Sequence, residues 1–243
     1  MIKKLKSRIM IKFIESISLK KVIFFLDNKL VKKPFVFKNE KINYIFHSHN
    51  NKGLTERTAE LAIAKFYLST FKPKNLLEIG NVTYYYYNEF IGTYQKKTVV
   101  DLGENDSVVI KEDIAKFKPS NKFDFILSVS TFEHMDEEDF RPLNFDYSNN
   151  TVAAKNIIYC YENLLEEGGC MLLTAALGWT KEWDRTFKSD ILNQYPFKRI
   201  EKYLLKKINE QEWIQLDKID IDYTPYGTPY PYGNWLSIIE IQK

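Results

Sequence analysis

Cysteine, glycine, proline and histidine are all scarce in this chain, at two, nine, eight and three of 243 residues. Cys160 falls in a helical stretch and Cys170 in the apolar run after it. Two thiols so placed make neither a disulfide-framed secreted domain nor a zinc-ligand pattern, and both are expected to be buried and free. No apolar run is long enough to cross a bilayer. There is no internal repeat and no low-complexity tract. What the chain has instead is apolar bulk: hydrophobic residues make up 44% and aromatics 15%, with sixteen Tyr and seventeen Phe. That suffices for a substantial core, in one large α/β domain or a domain with a small appendage, and it argues against disorder.

Charge is nearly balanced overall but not locally. Residues 1–40 hold eleven Lys or Arg against Glu15, Asp27 and Glu40, a surplus of +8, so a chain of net charge +3 carries −5 over the remainder. A basic leader on an acidic body reads either as a solvated helical pair packed on the main domain or as a contact for an anionic membrane. It is no signal peptide, because Lys12, Glu15, Lys20 and Lys21 interrupt its apolar residues and no small-residue cleavage site follows. Helices are expected over 3–18 and 19–33, stopped by Pro34. Residues 1–52 are set apart as a basic helical appendage, and residues 1–33 are its part suited to a membrane surface.

A polar connector containing His47 and His49, both expected to be solvated, leads to Thr55 as a helix N-cap. Behind it Ala59, Ala62, Ile63, Phe66 and Tyr67 recur at helical spacing, ending before Pro73. Short β-branched or leucine-rich runs then appear at 76–79, 98–102, 108–110, 123–129 and 171–174. A helix is expected over 152–165, closed by Gly168 and Gly169. Strands alternating with helices mean βαβ units and a parallel sheet. The tail reads as two more strands, 212–217 and 236–242, joined by a loop rich in Tyr, Pro and Gly. These two are expected to pair antiparallel at a sheet edge.

Four chemistry-bearing stretches fall at strand C-terminal ends, where open α/β sheets bind ligands. They are Glu78-Ile79-Gly80-Asn81, Asp101-Leu102, Glu112-Asp113-Ile114 and Ser128-Val129-Ser130-Thr131-Phe132-Glu133-His134. A glycine after the first strand lets the backbone approach a nucleotide-type ligand, and an acid after the second accepts hydrogen bonds from ribose hydroxyls. Each residue also has a structural reading. Asp101 and Asp113 would serve as helix N-caps or turn acids. Glu78 sits in a strand that should be buried, where its carboxylate needs donors from backbone amides or from a ligand ammonium. His134 is either a general base for a substrate hydroxyl or a cap for the helix that follows. His134, Glu137 and Glu138 would share a helical face, but no metal-ligand spacing supports a site there, and no metal is expected.

Together these stretches, with Phe123-Asp124-Phe125-Ile126-Leu127-Ser128 and Leu164-Leu165-Glu166-Glu167-Gly168-Gly169 followed by Met171-Leu172-Leu173, resemble the class I S-adenosylmethionine-dependent methyltransferases over residues 75–177. More narrowly, Glu56-Arg57-Thr58, Ile79-Gly80-Asn81-Val82 and Ser130-Thr131-Phe132-Glu133-His134 resemble a bacterial branch of that family associated with surface-polysaccharide genes. The resemblance implies a three-layer Rossmann-like fold over 53–243, with a mostly parallel seven-stranded sheet and an antiparallel C-terminal strand pair. It implies S-adenosyl-L-methionine as cofactor, held by Glu78, Gly80, Asn81, Asp101, Leu102, Asp113, Ile114 and Ser128. Asp101 would hold the ribose and Asp113 the adenine amino group, with His134 and Glu133 as catalytic candidates. The chain departs from the family at Val82, where a second glycine is usual; Asn81 could compensate by adopting a left-handed backbone or by bonding the cofactor's amino-acid end.

The activity so implied is methyl transfer to a small-molecule or sugar acceptor, at oxygen first, by a cytoplasmic enzyme. The stiff aromatic tail loop reads either as a wall of the acceptor pocket, joined by Trp179, Trp183 and Arg185, or as a packed edge cover or dimer contact. Two rival classes stand beside it. A nicotinamide-dependent oxidoreductase would show Gly-x-Gly-x-x-Gly, whereas only Gly80 is glycine across 80–85. A non-catalytic Rossmann-like binding module, or a partner-dependent methyltransferase subunit, would keep the fold without the chemistry. Nucleic acid is not expected as a partner, since no Lys or Arg lies between Asp222 and Gln242 and the body is acidic.

Overall fold

The computed structural model describes residues 33–47, 49, 53–135, 151–219 and 224–243. Alternating runs of apolar residues form the strands β3 (Asn75–Ile79), β4 (Lys96–Val100), β5 (Val109–Ile110), β6 (Phe123–Val129) and β7 (Leu165–Ala176). These five lie side by side and parallel. Three further strands, β8 (Arg199–Asn209), β9 (Glu212–Leu216) and β10 (Trp235–Gln242), extend one sheet in the order β5-β4-β3-β6-β7-β10-β8-β9. The long parallel strands are buried on both faces because side chains alternate between two cores. Leu77, Ile79, Ile126, Met171 and Leu173 join one core, and Leu76, Phe125, Leu127, Leu172 and Ile238 the other.

Helices cover both faces, which makes the fold a three-layer, Rossmann-like α/β unit. Helix α1 (Glu56–Phe71) lies on the second core, with Thr55 at its N-cap position. The four-residue α2 (Tyr87–Phe90) follows a 3-10 turn at Thr83–Tyr86. Helices α3 (Val152–Tyr159) and α4 (Lys181–Lys188) cover the first core. Thr151 and Thr180 cap them, their hydroxyls accepting from the backbone amides of Ala154 and Trp183. The helix expected to run to residue 165 instead ends at Tyr159 and passes through a π turn, Cys160–Leu164, directly into β7. Cys160 and Cys170 are buried and free, and burial pushes both thiols up.

Three expectations are corrected. The tail strands do not pair with each other: β10 is antiparallel to both β7 and β8, while β9 forms a hairpin with β8. Strand β8 was not foreseen, and it raises the sheet from seven strands to eight. Finally, within the stretch read as a helical appendage, residues 35–42 form a hairpin of β1 (Phe35–Phe37) and β2 (Glu40–Ile42). Lys38 and Asn39 turn it with φ of 52° and 66°, the left-handed conformation that tight hairpins favour. Phe35, Phe37, Ile42 and Ile45 share the α1-side core. The two helices expected over 3–33 lie outside the described residues.

Candidate functional site

Parallel strands must all end at one edge of the sheet, and here consecutive ends are stitched together. Gly80 N–H donates to Val100 O, Asp101 N–H to Ile110 O, and Ser130 N–H to Thr174 O. A cleft of about 730 Å³ opens along this edge across β5, β4, β3 and β6, within the size range of small-molecule and cofactor sites. At one end lie Asp113, Ile114 and Leu102; Asp101 is central; Gly80, Asn81, Ser130, Thr131 and His134 form the other end. One face of α3 completes the wall with Val152, Lys155, Asn156 and Tyr159, at helical spacing i, i+3, i+4, i+7.

Local geometry explains why these residue types stand here. Gly80 has φ +85°, and a Cβ there would come within 2.0 Å of Thr131 Oγ1, so only glycine lets the loops after β3 and β6 meet. Asp101 organises the neighbouring loops, its Oδ2 accepting from Asn81 N–H at 3.0 Å and its Oδ1 from Gly103 and Glu104 N–H at 2.8 and 3.1 Å. Three of a carboxylate's roughly four acceptor positions are thus used, and one remains. Asp113 Oδ1 accepts from Ala115 N–H at 3.0 Å. Asn81 is different: it is buried at 4% exposure and lines the cleft, yet neither Oδ1 nor Nδ2 has a partner. Val82, in place of the family's second glycine, is right-handed helical at φ −88°, so its branched side chain carries no backbone strain.

Three expected site residues do not line the cleft. Glu78 is fully buried and taken up by its own chain. Its Oε1 accepts from Val82 and Thr83 N–H and its Oε2 from Thr83 Oγ1 and Lys97 Nζ, so it shapes the loop rather than meeting a ligand. Ser128 donates to Ile79 O inside the sheet. Glu133 is 3% exposed and lies against Glu60 of α1 instead of the cleft. His134 does line it, its ring 5.8 Å from Trp179, which in turn meets Tyr226 of the tail loop at 4.8 Å. Tyr226 is held by Glu56, whose Oε1 accepts from the phenol and whose Oε2 accepts from Gly233 N–H. Trp183 is core, donating to Ser237 Oγ, and Arg185 is exposed away from the cleft. Of His47 and His49, expected to be solvated, His47 is half-buried and His49 exposed; they stack on each other and meet Tyr86 and Tyr85 edge-on. Glu137 and Glu138 lie outside the described residues.

Several participants escaped the sequence reading. The α3 face was legible in its spacing. Ser130 stands in the stretch after β6 without a role of its own: it adopts φ 45°, uncommon for a residue with a side chain, and its hydroxyl reaches away from the cleft edge to Glu60. Arg57 stands in the Glu56-Arg57-Thr58 stretch, which carried no site role, and Glu60 has no motif to mark it.

Among solved structures the chain is similar to the N-methyltransferase NodS from Bradyrhizobium japonicum WM9 in complex with S-adenosyl-L-homocysteine, at 15% identity over 77% of this chain and 87% of that one, with a TM-score of 0.47. It is also similar to a SAM-dependent methyltransferase from Archaeoglobus fulgidus, at 14% identity over 79% and 96% of the two chains and a TM-score of 0.47. Cofactor-bound Rv0187 from MTB is 9% identical over 92% and 90%, with a TM-score of 0.44. No protein-family model matches the chain, and no curated protein does. At these identities and TM-scores the likenesses add nothing to what the strand order shows, and the case for a function rests on the cleft.

Proposed function

We propose that the protein is an S-adenosylmethionine-dependent methyltransferase acting on a small-molecule or saccharide acceptor, at oxygen. The observation that carries the reading is the unsatisfied Asn81 amide, set in a cleft with Asp101 and Asp113 at the ends of neighbouring strands. A buried polar group without a partner costs about 1–3 kcal/mol. A ligand with adjacent ammonium and carboxylate groups satisfies both amide atoms, and the cofactor's amino-acid end has them. Asp101 has an acceptor position left for a ribose hydroxyl, while Leu102, Ile114 and Asp113 offer apolar walls and an acceptor for a purine with an exocyclic amine.

When bound, the cofactor would supply the electrophilic methyl group. The chain's own residues would align it, and orientation alone contributes roughly 7–11 kcal/mol in such reactions. Trp179, 48% exposed beside His134, gives an acceptor ring a surface to stack on, and His134 is placed to take the hydroxyl proton. Calorimetric titration with S-adenosylmethionine and with NAD tests the reading. Micromolar binding of the first alone is expected. Binding of NAD alone would replace the methyltransferase with an oxidoreductase, and binding of neither would leave a non-catalytic module.

The proposal extends to the N-terminus. Residues 1–52 are read as an appendage to the catalytic unit of 53–243, its hairpin packed on that unit. The surplus of +8 over residues 1–40 supports peripheral contact of 1–33 with anionic membrane at the cytoplasmic face. Among the described residues no helix is long and apolar enough to cross a membrane. Flotation with anionic vesicles should be lost on removing residues 1–33; equal flotation of both chains ends the membrane reading.

A further inference from the structure

Behind the cleft wall at the β6 end lies a buried polar cluster that the scheme above does not use. Glu60 is fully buried on α1, and Thr174 Oγ1 donates to it at 3.1 Å. Ser130, itself a cleft-lining residue, donates from Oγ, 2.7 Å from Glu60 Oε1 and 2.8 Å from Oε2. Glu133 adds a second buried carboxyl, and its Oε2 has no hydrogen-bond partner. Among the described residues Arg57 is the positive charge beside Glu60 and Glu133, and it is held loosely: Nη1 stands 3.7 Å from Glu60 Oε2, and that same Nη1 makes no hydrogen bond. Glu56 brings a third carboxylate, held by the tail loop and faced by the buried Lys207 ammonium. Tyr86 and Tyr226 face the cluster from the turn after β3 and from the tail, and burial raises both phenols, so they stay neutral. Among the described residues the Glu60 and Glu133 carboxyls therefore meet one guanidinium, with Lys207 left to Glu56. The cluster is short of a cation, and one residue, Ser130, separates it from the cleft.

We propose that Glu60 and Glu133 act through Ser130 as a charge sensor that makes this cleft bind the cationic methyl donor more tightly than its neutral demethylated product. This rests on the methyltransferase reading. The acids after β4 and β5 would take the nucleoside, so the sulfonium falls toward β3 and β6, the end where Ser130 stands. Methyl transfer forms the bond from carbon to acceptor and breaks the bond from carbon to sulfur, whose electron pair stays on sulfur, while the acceptor's proton passes to His134; once that proton is lost to solvent, the positive charge has left the cleft end. A buried excess of carboxylate favours the state before that loss and so favours release of the spent cofactor. It also couples to a proton. Burial raises Glu60, and burial with the neighbouring Glu60 charge raises Glu133 further, which favours a proton shared by the pair before ligand binding. Arrival of a cation favours the ionised pair, and the proton is released; the neutral product leaves it in place.

The test needs no acceptor. Titrate the full chain calorimetrically with S-adenosylmethionine and with S-adenosylhomocysteine, in buffers of different ionisation enthalpy, which gives both affinities and the protons released. In the intact protein the methyl donor should release more protons than the product. Glu60→Gln should shrink the affinity ratio of donor to product about tenfold, the size expected for one charge across a partly screened interior. Glu133→Gln, whose side chain is near isosteric with the protonated acid, should abolish the extra proton release. It guards against a Glu60 variant that fails to fold. Equal loss of affinity for both ligands would mark a merely structural role and overturn the sensor, as would ratios and proton counts unchanged from the intact chain. Binding of neither ligand to the intact chain would instead remove the methyltransferase reading itself.

Discussion

Asn81 and Asp101 sit side by side in the cleft but answer to different forces. Asp101 ties three backbone amides, so its loss disturbs the loops as well as any ribose contact. Asp101→Ala is expected to weaken S-adenosylmethionine binding at least tenfold, in line with about 1.5–3 kcal/mol for hydrogen bonds to a charged group. The Asn81 side chain holds nothing in the protein. Asn81→Ala should therefore leave the unfolding midpoint unchanged or raised while weakening the cofactor. Calorimetry and urea denaturation on the same variant check both halves, and parallel loss of stability and affinity would mean that the amide is structural. Glu78 shows the opposite case. An acid beside a conspicuous glycine invites a ligand role, yet four donors from its own chain claim it. The alternation of side chains along β3 places it under the loop, and nothing in the linear order distinguishes that face from the one above.

At the scale of elements, the hairpin of β1 and β2 is held by one buried charge. Glu240 of β10 is 3% exposed and accepts from Lys38 Nζ at 2.7 Å and from the Tyr67 hydroxyl at 2.5 Å. Lys38 N–H also donates to Gln215 Oε1, and Trp213 N–H to the Tyr44 hydroxyl, which fastens the hairpin to the edge strand β9. Lys38 is half-buried and Glu240 buried, so removing the lysine strands the glutamate charge. Lys38→Ala should accordingly cost about 3 kcal/mol in urea unfolding, and Lys38→Ala/Glu240→Gln should recover much of it because no stranded carboxylate remains. The hairpin was hidden in the sequence because two three-residue strands are too short for a period to show. Strand β8 was hidden for another reason. It is half exposed and carries four lysine or glutamate side chains among its apolar ones, which blurs the alternation. Strands β3 and β6, buried on both faces, were legible as nearly continuous apolar runs.

For the molecule as a whole, the two buried carboxyls set a pH dependence. Both are raised above the ordinary glutamate range by burial, Glu133 the more. A raised carboxyl binds its proton more tightly in the folded than in the unfolded chain. Its contribution to stability is therefore complete below the unfolded value near 4.3 and is lost as pH climbs through the folded one. The melting temperature should fall as pH rises above the unfolded value, and Glu133→Gln should flatten that slope because an amide does not titrate. A slope that survives Glu133→Gln and Glu60→Gln alike would place its origin elsewhere.

Composition and order alone determined that this chain builds an α/β sheet and that Gly80, Asn81, Asp101, Asp113 and His134 follow strand ends. Those conclusions need only local chemistry, since burial imposes period and turns demand particular residues. Tertiary structure alone decided which of the acids face a ligand, where β10 inserts between β7 and β8, and that Arg57, Glu60 and Glu133 from distant stretches share one buried space. Such facts depend on which faces meet when layers close, and a contact between residues seventy positions apart leaves no mark on either neighbourhood.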